Sequence, residues 1–310
     1  MSRTDRRAVV FAYSGVGVRC LAAVLASGID VGLVVTHEDA AGENIWFDSV
    51  ARLAELNEID VLTPEDPNAP AVVAQLESLA PDFIFSFYYR RLLSETLLAI
   101  PSVGAFNMHG SLLPKFRGRA PVNWAVLHGE TETGASLHRM IAKPDAGALV
   151  DQEAVPILPN DTAGEVYDKV SCAAEVVLMR SLPALMNGTA RETPLDLSQG
   201  SYYGGRKPED GRIDWRDSAQ VIHNLVRAVA PPYPGAFMDI DAGRLFVMGS
   251  HYRGDRAAGA PGIYWQDGAC WADCADGRRF RILSLEFKDQ QLDEGAFCRL
   301  FGANRIGAPG

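Results

Sequence analysis

Val103-Gly104-Ala105-Phe106-Asn107-Met108-His109-Gly110-Ser111-Leu112-Leu113-Pro114 passes from an apolar run straight into a loop. Val103 to Phe106 reads as the end of a buried strand. Pro114 and Gly118-Arg119-Ala120-Pro121 break regular structure after it. Residues two apart on a strand share a face, so Asn107 and His109 point at one spot. That spot lies at the carboxyl end of a strand, where open α/β sheets place their ligands.

Working outward, the flanking sequence alternates strand and helix patterns. Upstream, strands are expected at 8–13, 31–35, 59–62 and 83–87, and helices at 18–26, 44–57, 70–79 and 92–100. Such spacing calls for βαβ units and a mostly parallel sheet. Gly15-x-Gly17 does not continue into a dinucleotide fingerprint, because Cys20 stands where the third glycine belongs. The two glycines are left to a tight strand-to-helix turn, and His37, alone near a strand end, to structure. Downstream, Pro121 opens a short helix to about Leu127. Strands at 133–141 and 149–157 flank the turn-rich loop Lys143-Pro144-Asp145-Ala146-Gly147, so this pair is antiparallel and the sheet mixed. Thr162 and Glu165 form a capping box for a helix to Met186.

Composition shifts at 189–211, read as a linker or crossing loop. The expected domains are therefore a Rossmann-like α/β domain over 1–200 and a smaller one over 201–310. In the second, a helix at 218–229 precedes short strands at 236–240, 243–249, 262–266, 269–273 and 278–285, the pattern of a small OB-like β-barrel. A helix and a frayed tail are expected to close the chain.

Bulk properties narrow the function. The chain has 310 residues, a formal net charge of −10, 47% hydrophobic and 22% charged residues. That is an ordinary globular composition, and its acidity argues against a phosphate-backbone binder. Five cysteines make no disulfide framework, and the Cys270/Cys274 spacing suits no metal knuckle. No apolar run nears the ~20 residues of a spanning helix. The basic start, Met1 to Arg7, is followed by no signal-type core. A cytoplasmic protein with no membrane partner and no metal is the expectation.

Three residues then suit one chemistry. His109 serves as a general base, Asn107 donates an amide N–H to an oxyanion, and Asp145 orients the imidazole and favours its charged form. The set fits acyl transfer from a carrier to an amine, with no Ser or Cys nucleophile. No G-x-S-x-G elbow, H-E-x-x-H or EF-hand loop competes. His128 and His138, within helix and strand patterns, read as structural, and Ser111 as a loop hydrogen-bonder.

The run from Phe106 through Lys115-Phe116-Arg117-Gly118-Arg119-Ala120-Pro121-Val122-Asn123-Trp124, continued by Gly129 to Gly134, Leu137 to Met140 and Asp145 to Gly147, resembles the signature of 10-formyltetrahydrofolate-dependent formyltransferases. Residues 8 to 285 fit that family's two-domain form. Phe85 to Arg90, Gly110, Arg119 to Trp124, Leu225 to Val229 and Tyr233 to Phe237 resemble most the ArnA-type formyltransferase domain, which acts on UDP-4-amino-4-deoxy-L-arabinose. The resemblance implies formylation of that 4-amino group, hence lipid A modification and polymyxin resistance. Rival acceptors are another amino-sugar nucleotide and the methionine on initiator tRNA. Hydrolysis of the folate and non-enzymatic nucleotide binding are the remaining alternatives.

By the same resemblance, Asn107 polarises the formyl oxygen, His109 transfers the proton and Asp145 raises the His pKa. The folate cosubstrate lies along Arg91, Leu92, Leu93, Arg119, Ile141, Ala142, Lys143, Pro144 and Asp145. Arg206 and Arg227 are the candidates for the sugar-nucleotide diphosphate, which favours guanidinium forks. The resemblance also implies a stand-alone formyltransferase, with a separate decarboxylase as partner.

Overall fold

The computed structural model describes residues 6–40, 42 and 44–308. Met1 to Asp5 of the basic opening, and the last two residues of the tail, lie outside them. The described chain forms two compact units. The first comprises the residues to Pro121, Thr133–Val155 and Tyr167–Gly204. The second takes Gly205 onward together with Val122–Glu132 and Pro156–Val166. One division between the units falls at Gly204/Gly205, and two shorter segments from earlier in the chain belong to the second unit.

The first unit is α/β. In chain order it runs β1 (Arg7–Ala12), α1 (Ser14–Ala26), β2 (Asp30–Val35), α2 (Val50–Leu56), β3 (Val61–Leu62), α3 (Pro70–Leu79), β4 (Phe83–Phe87), α4 (Glu95–Leu98), β5 (Gly104–His109) and β6 (Arg117–Gly118). After α5 (Pro121–Leu127) come β7 (Glu132–Arg139), β8 (Leu149–Pro156), α6 (Ala163–Met186) and β9 (Tyr202–Tyr203). The main sheet has the order β3-β2-β1-β4-β5-β7-β8. β1 to β5 are parallel to their neighbours, and β7 is antiparallel to β5. This is the mixed, Rossmann-like sheet that the spacing predicts. β1 and β4 are buried on both faces, as near-continuous apolar strands must be. Phe11, Leu33, Ile84, Leu76 and Leu97 fill one side of the sheet.

Two helices are shorter than periodicity suggests, each because a serine caps it late. Ser49 accepts from Arg52 N, so 44–48 are not helical. Ser94 accepts from Leu97 N, which leaves Arg91, Leu92 and Leu93 in a loop.

The second unit carries α7 (Ala219–Val229), β10 (Ala236–Ile240), β11 (Gly243–Arg256), β12 (Gly262–Gln266), β13 (Ala269–Asp273), β14 (Arg278–Phe287), β15 (Gln290–Gln291), α8 (Glu294–Phe301) and β16 (Arg305–Gly307). Its antiparallel sheet, ordered β10-β11-β14-β13-β12-β16, curls as an OB-like half-barrel over the buried face of α7. β11 is longer than expected because register shifts let it bend and keep pairing with β14. The tail is not frayed at 305–307, where β16 pairs with β12. Among the described residues no helix is long and apolar enough to cross a membrane.

His223 on α7 is fully buried, between Ser250 Oγ at 2.8 Å and the Pro159 carbonyl at 3.1 Å. Burial pushes its pKa down to about 4 from 6.5. Between those values the unfolded chain binds the proton and the folded one does not, so stability falls as pH drops through this window. The full shift is worth roughly 3 kcal/mol. His223→Gln is expected to flatten the fall of the urea midpoint between pH 6.5 and 4. Equal declines in both proteins would refute this assignment.

Candidate active site

β5 positions the centre. It lies between β4 and β7, with Asn107 in register with Ser86 and His138, and His109 with Ser136. Cross-strand partners share a face, so Asn107, His109 and His138 occupy one face of the sheet. His109 and His138 are buried, and Asn107 is half-buried.

The hydrogen bonds orient these groups. His109 Nε2 lies 2.9 Å from the Phe116 carbonyl oxygen, so that nitrogen carries the donated proton. Nδ1 is then the basic atom, 3.5 Å from Asp145 Oδ1. His138 Nδ1 faces the Arg139 carbonyl at 2.9 Å, and its Nε2 accepts from Asn107 Nδ2 at 3.1 Å when the ring is neutral. When protonated, Nε2 faces Asp145 Oδ1 at 3.5 Å. One N–H of the Asn107 amide is taken by His138, and the second remains for a substrate oxygen.

Asp145 is held from three sides. Its Oδ2 accepts from Gly118 N at 2.9 Å, while Oδ1 faces both imidazoles. Burial opposes its ionisation. The charge of His109, the hydrogen bond and charge of His138 and the Gly118 N–H outweigh burial, and hold the carboxyl well below the usual range. Its backbone is left-handed, with φ of 50°. Asp tolerates that region better than most residues, and such strain concentrates at functional sites. Tyr88, Phe116 and Ala120, on the loops after β4, β5 and β6, are left-handed as well. Behind Asp145, a Cβ on Gly147 would overlap the Arg139 carbonyl oxygen, so the hairpin closes only with glycine.

The remaining expected site residues fall on loops. Arg91, Leu92 and Arg119 are exposed, as are Ile141, Ala142 and Lys143, while Leu93 and Pro144 are half-buried. β7 ends at Arg139, so Ile141 is free of the strand. Leu93 and Met140 pack against the same core cluster, which brings the loops after β4 and β7 to one side of the first unit. In the second unit, the Arg206 guanidinium lies 4.8 Å over the Trp124 ring and donates to the Asp210 carbonyl. Its Nε is buried without a partner, and burial draws its pKa down. Arg227 is buried and donates to Asn224 Oδ1 and the Asp161 carbonyl.

A buried imidazole beside a carboxylate, with an amide donor on the same face, is chemically able to support acyl transfer. Residues 7–182 match the formyl transferase family model, and residues 206–298 match that of the formyl transferase C-terminal domain. The chain belongs to the formyl transferase family.

Solved structures share the fold of this formyl transferase. An N-formyltransferase from Helicobacter canadensis, in complex with folinic acid and dTDP-3-aminofucose, superposes with a TM-score of 0.73 at 21% identity, covering 93% of this chain and 100% of its own. A 4-N formyltransferase from Francisella tularensis gives 0.65 at 19%, covering 78% and 96%. A sugar N-formyltransferase from a Shewanella species gives 0.63 at 17%, covering 81% and 100%.

Two parts of the formyl transferase's centre escape a one-dimensional reading. His138 looks like any strand histidine until β7 is laid beside β5. Ser201 lies in the stretch read as a linker, yet its Oγ accepts from Phe116 N and its carbonyl from Arg117 N. His138→Leu removes the ring that turns the Asn107 amide and one of the two imidazoles that face Asp145. Its kcat is expected to fall about tenfold or more, with a smaller change in KM, and His138→Gln to recover part of it. A kcat within twofold of wild type would exclude a positioning role. Gly147→Ala should lower kcat and thermal midpoint together.

Proposed function

We propose that this formyl transferase moves the formyl group of 10-formyltetrahydrofolate to the primary amine of a nucleotide-linked amino sugar. The observation that carries the reading is the arrangement of Asn107, His109 and Asp145 on one face at the end of β5. The folate supplies the formyl carbon. The exposed apolar side chains of Leu92 and Ile141 offer it a surface, and the backbone of the 141–144 loop a polar edge.

The chain's own residues supply the rest. The free Asn107 N–H stabilises negative charge on the formyl oxygen as the amine attacks. His109 Nδ1 takes the amine's proton, the ionised Asp145 beside it stabilises the imidazolium that forms, and the proton passes to the folate N10 as its bond to the formyl carbon breaks and tetrahydrofolate leaves. The surrounding loops hold these groups in place without a covalent enzyme intermediate.

The acceptor class rests on two supports: the ArnA-type sequence pieces and the dTDP-3-aminofucose held in complex by the Helicobacter canadensis N-formyltransferase. UDP-4-amino-4-deoxy-L-arabinose is the acceptor we place first, which ties the reaction to lipid A modification in the cytoplasm. Arg206, with its half-buried fork above Trp124, is assigned to the diphosphate. Arg227 is assigned to holding α7 against 161.

Purified protein given 10-formyltetrahydrofolate with UDP-4-amino-4-deoxy-L-arabinose, a dTDP-linked amino sugar, charged initiator tRNA or no acceptor should release tetrahydrofolate only with an amino-sugar nucleotide. Release without acceptor would overturn the transferase reading, and release with tRNA alone would overturn the acceptor class.

A further inference from the structure

Arg117 is 9% exposed, yet among the described residues its guanidinium has no hydrogen bond and no ion pair. Its Nε is fully buried and without a partner. The one recorded contact of the charge is with the ring of Tyr202, at 5.9 Å. A buried cation without an acceptor is costly, and proteins normally place a carboxylate there. Asp145, whose Oδ2 accepts from the adjoining Gly118 N, faces the two imidazoles and makes no ion pair with Arg117 among the described residues.

β6 explains why an arginine sits at this point. One edge of β6 faces the reaction centre, through the Phe116 carbonyl on His109 and the Gly118 N–H on Asp145. The other edge pairs with β9, through Arg117 N to the Ser201 carbonyl and Arg119 N to the Tyr203 carbonyl. Arg117 and Tyr202 are in register across that pair. Tyr202 is 58% exposed, whereas its neighbour Tyr203 is half-buried and stacks on Phe116. Gly118 cannot bear a side chain, because its φ is +97° and a Cβ would overlap the Tyr203 carbonyl. The result is a short rigid ribbon with an open aromatic ring and an unneutralised guanidinium beside it.

We propose that Tyr202 and Arg117 form the ledge that receives the nucleotide of the acceptor, its base lying on the Tyr202 ring and a phosphate meeting Arg117. The inference rests on the amino-sugar nucleotide reading above. An open aromatic face gives a base stacking area that does not depend on base identity, and a guanidinium fork matches phosphate oxygens. Most of the surface assigned to the folate lies on other loops, after β4 and β7, and only Arg119 adjoins this ribbon. An acceptor docked on β6 and β9 is joined by one peptide to the residues that hold His109 and Asp145, so acceptor binding and the catalytic geometry share a support.

The test measures binding of UDP, dTDP and folinic acid separately by calorimetry, to wild type, Tyr202→Ala, Arg117→Lys and Arg117→Met. Nucleotide affinity is expected to fall about tenfold in Tyr202→Ala and in Arg117→Met, and less in Arg117→Lys, with folinic acid affinity unchanged. Tyr202 is exposed, so its variant stays informative even if Arg117→Met fails to fold. Unchanged nucleotide binding in Tyr202→Ala and Arg117→Lys would overturn the ledge, as would a loss confined to folinic acid. A wild-type protein that binds folinic acid but neither nucleotide would overturn the acceptor reading itself.

Discussion

The Asp145 carboxylate, ionised inside the protein between two imidazoles and a backbone N–H, is the interaction on which the centre depends. A buried carboxylate is tolerated only when its charge is matched and its lone pairs are used. Matching it fixes much else. His109 and His138 must lie on one sheet face, which demands an antiparallel β7 beside β5. The loop that carries Asp145 must turn back through a left-handed residue and a glycine. The Gly118 N–H must be aimed inward, which demands the β6 and β9 pairing behind it.

Function follows from the same constraint. With Nε2 of His109 committed to the Phe116 carbonyl, the nitrogen left to accept a proton is the one beside Asp145. In the proposed reaction, the charge needed when the amine loses its proton is therefore in place beforehand. Asn107 is committed on one side by His138, so its other N–H has a set direction.

Much of this was legible in the sequence. Apolar runs of strand length alternating with 3.6-residue patterns led to the α/β layout, and the N-x-H spacing led to two side chains on one face. What was hidden depends on contacts between distant segments. Serine caps at Ser49 and Ser94 overrode the apolar periodicity before them, so α2 and α4 start late. β9 is two residues long and exists through its pairing with β6, so nothing in Tyr202-Tyr203 announces it. β16 likewise has no pattern of its own and forms because β12 leaves an edge to pair. His138 was set aside because an isolated strand histidine is usually structural. Its contact with Asn107 appears only from the register of β7 with β5.

The most direct test of the account is the turnover of Asp145→Asn, an isosteric change that keeps the side chain's shape and removes its charge. We expect kcat for formyl transfer to fall by about 10²-fold or more, with the folded state retained by circular dichroism. A kcat within a few-fold of wild type would contradict the claim that this buried charge organises the reaction.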